Sequence, residues 1–167
     1  MPELTTPRDL FLHELGDILY VEQKLTGEVL PKLIQEVQDP EFRKGLERHL
    51  EQTRGHVTNL EQIFDSMGEQ PQPEKCIGFE GLKKEHDELT SEVSESLIDM
   101  VDTGAAARTE HYEIAAYNGL IEMARALGES EAVALLEENL KEEREALHAV
   151  ESVAKKLRDE QKAAAAS

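Results

Sequence analysis

The chain is predicted to fold as an all-α, antiparallel four-helix bundle with one long crossover connection that carries an extra, shorter helix. Three observations predict it. Apolar residues recur at helical spacing along four long segments. The composition is that of helices rather than sheets: Trp is absent, aromatics make up 4%, and Ala, Leu and Glu dominate. Proline, glycine and capping residues divide the segments into two short-linked hairpins separated by one long connection.

Thr6 caps the first helix and Pro7 suits its first turn. Its apolar stripe is Phe11, Leu15, Ile18, Leu25, Val29 and Leu33, with Pro31 placed to kink or shorten it. Gln38-Asp39-Pro40 stops that helix and starts the second, with Asp39 as cap. The second helix carries Phe42, Leu46, Leu50, Val57, Leu60, Phe64 and Met67 and ends near Gly68. Glu69 to Pro73 reads as an extended loop. Phe79 to Val93 is weakly amphipathic and reads as a short helix within the crossover. The third long helix starts at about Ser96, or just after Gly104, and runs to Leu127. Gly128-Glu129-Ser130 breaks the chain, and Ser130 is expected to cap the fourth helix, whose stripe runs from Val133 to Leu157. One long crossover between two hairpins is the ferritin-like arrangement.

Residues 1–160 form a single domain in this reading, and 161–167 an alanine-rich tail that frays. The net charge of -18 repels nucleic acid and anionic membranes. No apolar run approaches membrane-spanning length, and Met1 to Arg8 shows no secretory signal. Cytoplasmic residence is the expectation. Cys76 is alone, so no internal disulfide forms, and it reads as a small buried hydrophobe.

Four glutamates interrupt the apolar stripes. On a helical wheel of about 100° per residue, Glu22 lies among Leu15, Ile18, Leu25 and Val29, and Glu143 among Leu136, Leu140, Leu147 and Val150. Glu110 and Glu113 share a face with Tyr117, Leu120 and Ala124. A buried carboxylate needs a partner or a proton, and no Lys or Arg occupies the same stripes. A pair of metal ions supplies the missing charge, and glutamates on helices suit dinuclear iron or manganese because they are hard donors able to bridge. The second helix offers His49, Thr53 and His56, with Gln52 at the margin. His56 reads equally as a ligand or as a half-buried histidine bonded to an acceptor; His49 reads more readily as the latter. Thr53 and Ala146 stand where two Glu-x-x-His pairs would be completed, so the pattern is incomplete twice. Tyr117 is a core aromatic within reach of a ligating carboxylate. His111 faces away from the stripe, and His13, His86 and His148 read as surface residues.

Glu110-His111-Tyr112-Glu113-Ile114-Ala115-Ala116-Tyr117, with Val21-Glu22-Gln23-Lys24-Leu25, His49-Leu50-Glu51-Gln52-Thr53, Cys76 with Glu80-Gly81-Leu82, and Leu140-Lys141-Glu142-Glu143, resembles the YciE/YciF family of ferritin-like proteins, related to the rubrerythrins, from about Asp9 to Ala154. The resemblance implies a ferritin-like bundle, a dinuclear metal site, a homodimer and a place in bacterial stress responses. It also implies losses of acidic ligands, because Gln52 stands where relatives often have Glu and Leu147 where many have Asp. Such a site holds one metal tightly and the second weakly, or neither.

Two classes of function follow. One is a non-haem diiron or dimanganese oxidoreductase acting on Fe²⁺, dioxygen or peroxide. The other is a non-catalytic metal binder or structural bundle with a degenerate site. A mineral cage is not predicted, and a DNA-protecting role is disfavoured by the charge.

Overall fold

The computed structural model describes residues 3–164, and among them every regular element is helical. Helix α1 (Pro7–Lys24) continues through a π turn (Leu25–Val29) into α2 (Leu30–Glu36). Helix α3 (Pro40–Ser66) returns. The crossover holds α4 (Ile77–Glu92) and a short 3₁₀ turn (Glu95–Leu97) before α5 (Ile98–Leu127) and α6 (Ser130–Ala164) form the second hairpin. Thus α6 continues through the expected tail as far as Ala164, and 165–167 lie outside the described residues.

The starts and stops follow from local chemistry. Thr6 accepts the Asp9 N–H while the Asp9 carboxylate accepts the Thr6 N–H, a complete capping box. Asp39 accepts from Glu41 and Phe42 at the start of α3. Gly68 and Gly128 adopt φ +75° and +79° and close α3 and α5 with paired backbone bonds, such as Glu129 N–H to Ala124 C=O. Ser130 is not the cap of α6 but its first helical residue, because the Glu129 carbonyl already accepts the Val133 N–H. At Pro31 the expected kink takes the form of the π turn. Pro31 has no N–H, and in a regular helix its ring would press on the Gly27 carbonyl. Widening the preceding turn, with Leu30 N–H bonding Leu25 C=O, relieves that conflict.

Three tertiary contacts set the helix directions. Arg8 donates to the Met67 carbonyl, joining the start of α1 to the end of α3. Asp99, at the start of α5, accepts the Gln38 and Asp39 N–H groups at the opposite end. Lys156 of α6 donates to Asp39 at that same end. The contacts run α1–α3–α6–α5–α1 around the bundle, so every neighbouring pair is antiparallel, and α4 lies outside against α5. Phe11, Leu15, Ile63, Leu120 and Leu136 fill one end of the interior. Leu30, Leu33, Phe42, Leu46 and Val153 fill the other. No helix is long and apolar enough to cross a membrane among the described residues.

The crossover is pinned to α1 at Gly16. Glu74 N–H bonds the Gly16 carbonyl at 2.9 Å, and a Cβ at this position would stand 2.4 Å from the Gln72 carbonyl oxygen. Gly16→Ala is therefore expected to lower stability by roughly 1–3 kcal/mol, read as a fall in thermal midpoint. Helix propensity alone predicts the reverse sign, so an unchanged or higher midpoint would show that the loop yields freely.

Candidate metal centre

Between the two apolar ends lies a polar layer. Glu22 comes from the last turn of α1, His49, Thr53 and His56 from α3, Glu110, Glu113 and Tyr117 from α5, and Asn139 and Glu143 from α6. Glu22, Glu113 and Glu143 are 0% exposed and Glu110 is 3% exposed, so these carboxyl groups have left water. No Lys or Arg pairs with any of them among the described residues; their basic neighbours are the two histidines.

The donors fall into two groups that share one residue. Glu22, His56 and Glu143 form the first, and His49, Glu110 and Glu143 the second. In the first, His56 Nδ1 lies 2.9 Å from Glu143 Oε1 and 3.3 Å from Glu22 Oε1. In the second, His49 Nε2 lies 3.3 Å from Glu110 Oε1 and 3.8 Å from Glu143 Oε2. The two oxygens of Glu143 thus face different groups. Donors bound to one ion at about 2.1 Å stand about 3.0–3.5 Å apart, close to these separations. Glu22 Oε2, Glu110 Oε2 and both oxygens of Glu113 are buried without a hydrogen-bond partner, while His56 Nδ1 and Glu143 Oε1 meet as an ion pair. Donor chemistry, spacing and orphaned atoms fit a metal ion in either group. Glu113 belongs to neither group, although it is fully buried beside them.

Surrounding side chains hold the layer in place. Tyr117 donates to Glu22 Oε1 in a short hydrogen bond, so the carboxylate it orients is on α1 rather than the neighbouring Glu113. Asn139 donates to the Tyr117 hydroxyl at 3.1 Å and accepts from Asn59 at 2.7 Å. His56 Nε2 contacts Glu142 Oε2 at 2.9 Å, which fixes the ring with Nδ1 facing inward. Thr53 contributes nothing comparable, since its hydroxyl donates to the His49 carbonyl.

Charge in the layer is balanced by protons. Burial raises Glu110 and Glu113 well above the ordinary carboxyl range, and the Glu143 charge raises both further. Burial also raises Glu22, against the pull of His56. Burial opposes ionisation of Glu143 as well, but contacts with His56 and His49 outweigh it and hold this carboxylate low. His56 resists burial because Glu22 and Glu143 flank it, and its pKa is pushed up to about 11. His49 is lowered by burial and stays neutral.

The structure brings together Glu22, His56, Glu110 and Glu143, and it brings in His49 as fully as His56. Gln52 stays half-buried beside His49, on a groove of about 540 Å³ between α3 and α6. His111 and His148 are exposed. His86 is not a plain surface residue: it contacts the buried Asp102 at 2.7 Å. Cys76 is fully buried, caps α4 through Sγ and contacts the Tyr112 hydroxyl. Sequence reasoning missed Glu142 and Asn139. Glu142 reads as part of a solvated run but lies on the shoulder of α6 that meets His56. Asn139, one turn before Glu143, carried the periodicity signal that could have found it.

Fold and polar layer together define a ferritin-like helical bundle with a buried carboxylate–histidine cluster. A family profile described as "Domain of unknown function (DUF892)" matches residues 6–163, and the chain belongs to that family. It is 33% identical over 143 residues to Protein YciF of Escherichia coli strain K12, covering 84% of this chain and 86% of that one. The crystal structure of the E. coli stress protein YciF superposes with a TM-score of 0.86 at 30% identity over 93% of this chain and 98% of that one. YcfI of Rhodopseudomonas palustris, for which a structural role has been suggested, superposes with a TM-score of 0.86 at 37% identity over 90% and 96% of the two chains.

The proton balance makes metal-free stability depend on pH. Glu110, Glu113 and His56 each have a folded-state pKa above the unfolded value. Above about pH 7 the native state therefore binds more protons than the unfolded chain, and stability declines as pH rises. Metal-free protein is expected to show a falling urea midpoint from about pH 7 to pH 10. A rising midpoint would mean that these groups titrate normally in the fold.

Proposed function

We propose that this chain is a metal-binding bundle whose polar layer holds two iron or manganese ions and carries out oxidoreductase chemistry with dioxygen or peroxide. The observation that carries the reading is Glu143, which presents one oxygen to each of two donor groups and so has the disposition of a bridging carboxylate. Glu22 and His56 would hold one ion, His49 and Glu110 the other, and Glu113 would add the fourth carboxylate. When bound, the ions supply electrons to an oxidant and offset the negative charge of the layer. The protein's own part is to keep the layer dry, to orient Glu22 through Tyr117 and His56 through Glu142, and to release the protons of Glu110 and Glu113 as metal enters. A homodimer and a role in stress responses belong to the same reading.

The second reading is a metal-free structural bundle. The His56 contacts with Glu22 and Glu143 favour it, because protons can balance the remaining acids without any ion.

Anaerobic protein titrated with Fe²⁺ or Mn²⁺ is expected to take up about two ions per chain, with release of protons and a higher thermal midpoint. Admission of oxygen to the iron form should then consume it and generate new near-ultraviolet absorption. Stoichiometric uptake without oxidant consumption would reduce the proposal to metal binding alone. No uptake, with an unchanged midpoint, would leave the structural reading.

Substitution separates the readings further. Glu143→Leu is expected to abolish uptake at both positions, since both donor groups contain this residue. Glu113→Leu is expected to weaken metal binding and to raise metal-free stability by about 1–3 kcal/mol, because it removes a buried, unpartnered carboxyl. Wild-type metal content in Glu143→Leu would exclude the bridging assignment.

A further inference from the structure

Two spaces reach the polar layer, and Leu46, His49 and Glu110 line both. The groove between α3 and α6 reaches His49 and Glu110 past Lys44, Arg48 and Gln52. Between the π turn, α4 and α5 lies a cavity of about 60 Å³. Its walls are Leu25, Val29, Leu30, Phe79 and Ala106. At its inner end stand Glu110 and Glu113, with His49 and Thr109 also in the lining, and at its outer end Lys83 and His86. Leu25 and Val29 belong to the π turn and Leu30 follows it directly, so the widened turn forced by Pro31 builds part of the wall.

We infer that this cavity is a binding site for dioxygen beside the metal positions. The inference rests on the proposed metal centre for its purpose, but not for its existence. The cavity has room for a diatomic gas. Its lining is mainly aliphatic and aromatic, and apolar cavity walls take up apolar guests such as xenon. Between Val29, Phe79 and Ala106, away from the polar ends, hydrogen peroxide would lose hydrogen bonds, at roughly 2–7 kcal/mol for each unpaired polar group. Dioxygen has none to lose. Small side chains at Ala105 and Ala106 keep the space open where α5 faces the π turn. The division of labour is that ions enter from the groove and the oxidant waits in the cavity. Dioxygen, rather than peroxide, is then the oxidant for which the fold provides.

The test begins with crystals of the full chain under xenon pressure. A xenon atom is expected between Val29, Phe79 and Ala106, in metal-free and metal-loaded protein alike. Ala106→Leu fills the space and is expected to remove the xenon site. Val29→Ile is a milder filler should Ala106→Leu fold poorly, and it is expected to lower xenon occupancy. In iron-loaded protein, either variant should slow oxidation by dioxygen several-fold while leaving oxidation by added hydrogen peroxide and the metal content unchanged. Ordered water with no xenon in the wild-type cavity would overturn the inference. So would a filled cavity that slows both oxidants equally or neither. Failure of the metal proposal looks different: xenon would bind as expected while iron would not.

Discussion

Burial of four carboxyl groups and two imidazoles in one layer is the constraint around which the bundle is arranged. None of these groups is stable there alone, since an isolated buried charge costs several kcal/mol. In the metal-free protein the layer holds together by sharing protons. His56 keeps its proton between Glu22 and Glu143, while Glu110 and Glu113 keep theirs because burial penalises the anion. The same arrangement suits divalent ions, because each proton marks a place where positive charge is wanted.

Packing on either side serves this layer. Phe11, Leu15, Ile63 and Leu136 seal one end and Leu33, Phe42, Leu46 and Val153 the other. The four long helices are tied at their tips by Arg8 to Met67, Asp99 to Gln38 and Asp39, and Lys156 to Asp39. These ties fix the depth of each helix, and hence the register at which Glu22, His56, Glu113 and Glu143 come level. The crossover is equally constrained. It presses its loop onto Gly16 and anchors α4 through Cys76, whose thiol contacts the Tyr112 hydroxyl while Tyr112 donates to Asp17.

The two donor groups are not equivalent. The Glu22–His56 side has outer partners for each donor, Tyr117 backed by Asn139 and Glu142 on the far ring nitrogen. The His49–Glu110 side has fewer: His49 Nδ1 and Glu110 Oε2 lack hydrogen-bond partners, and the groove opens beside them. In a dinuclear centre the first position would be rigid and the second open to exchange. That asymmetry agrees with the incomplete Glu-x-x-His pairs, because Thr53 and Ala146 remove donors from the two helices that border the groove.

Periodicity made most of the architecture legible from the chain alone. A stripe repeating every 3.6 residues reports which face is buried, and Pro, Gly, Thr6 and Asp39 report where helices begin and end. The same logic exposed Glu22, Glu110, Glu113 and Glu143, since a charge within an apolar stripe contradicts its surroundings. It was weaker for His49 and His56, because histidine is common in both ligand and core positions, and it passed over Glu142, which lies on the shoulder of its helix. Which oxygen faces which nitrogen, the sharing of Glu143 between two groups, and the cavity beside the π turn depend on the relative depth and rotation of helices far apart in the chain. A one-helix pattern carries no information about depth, so these features arose only when the end contacts and side-chain packing set the helices against one another.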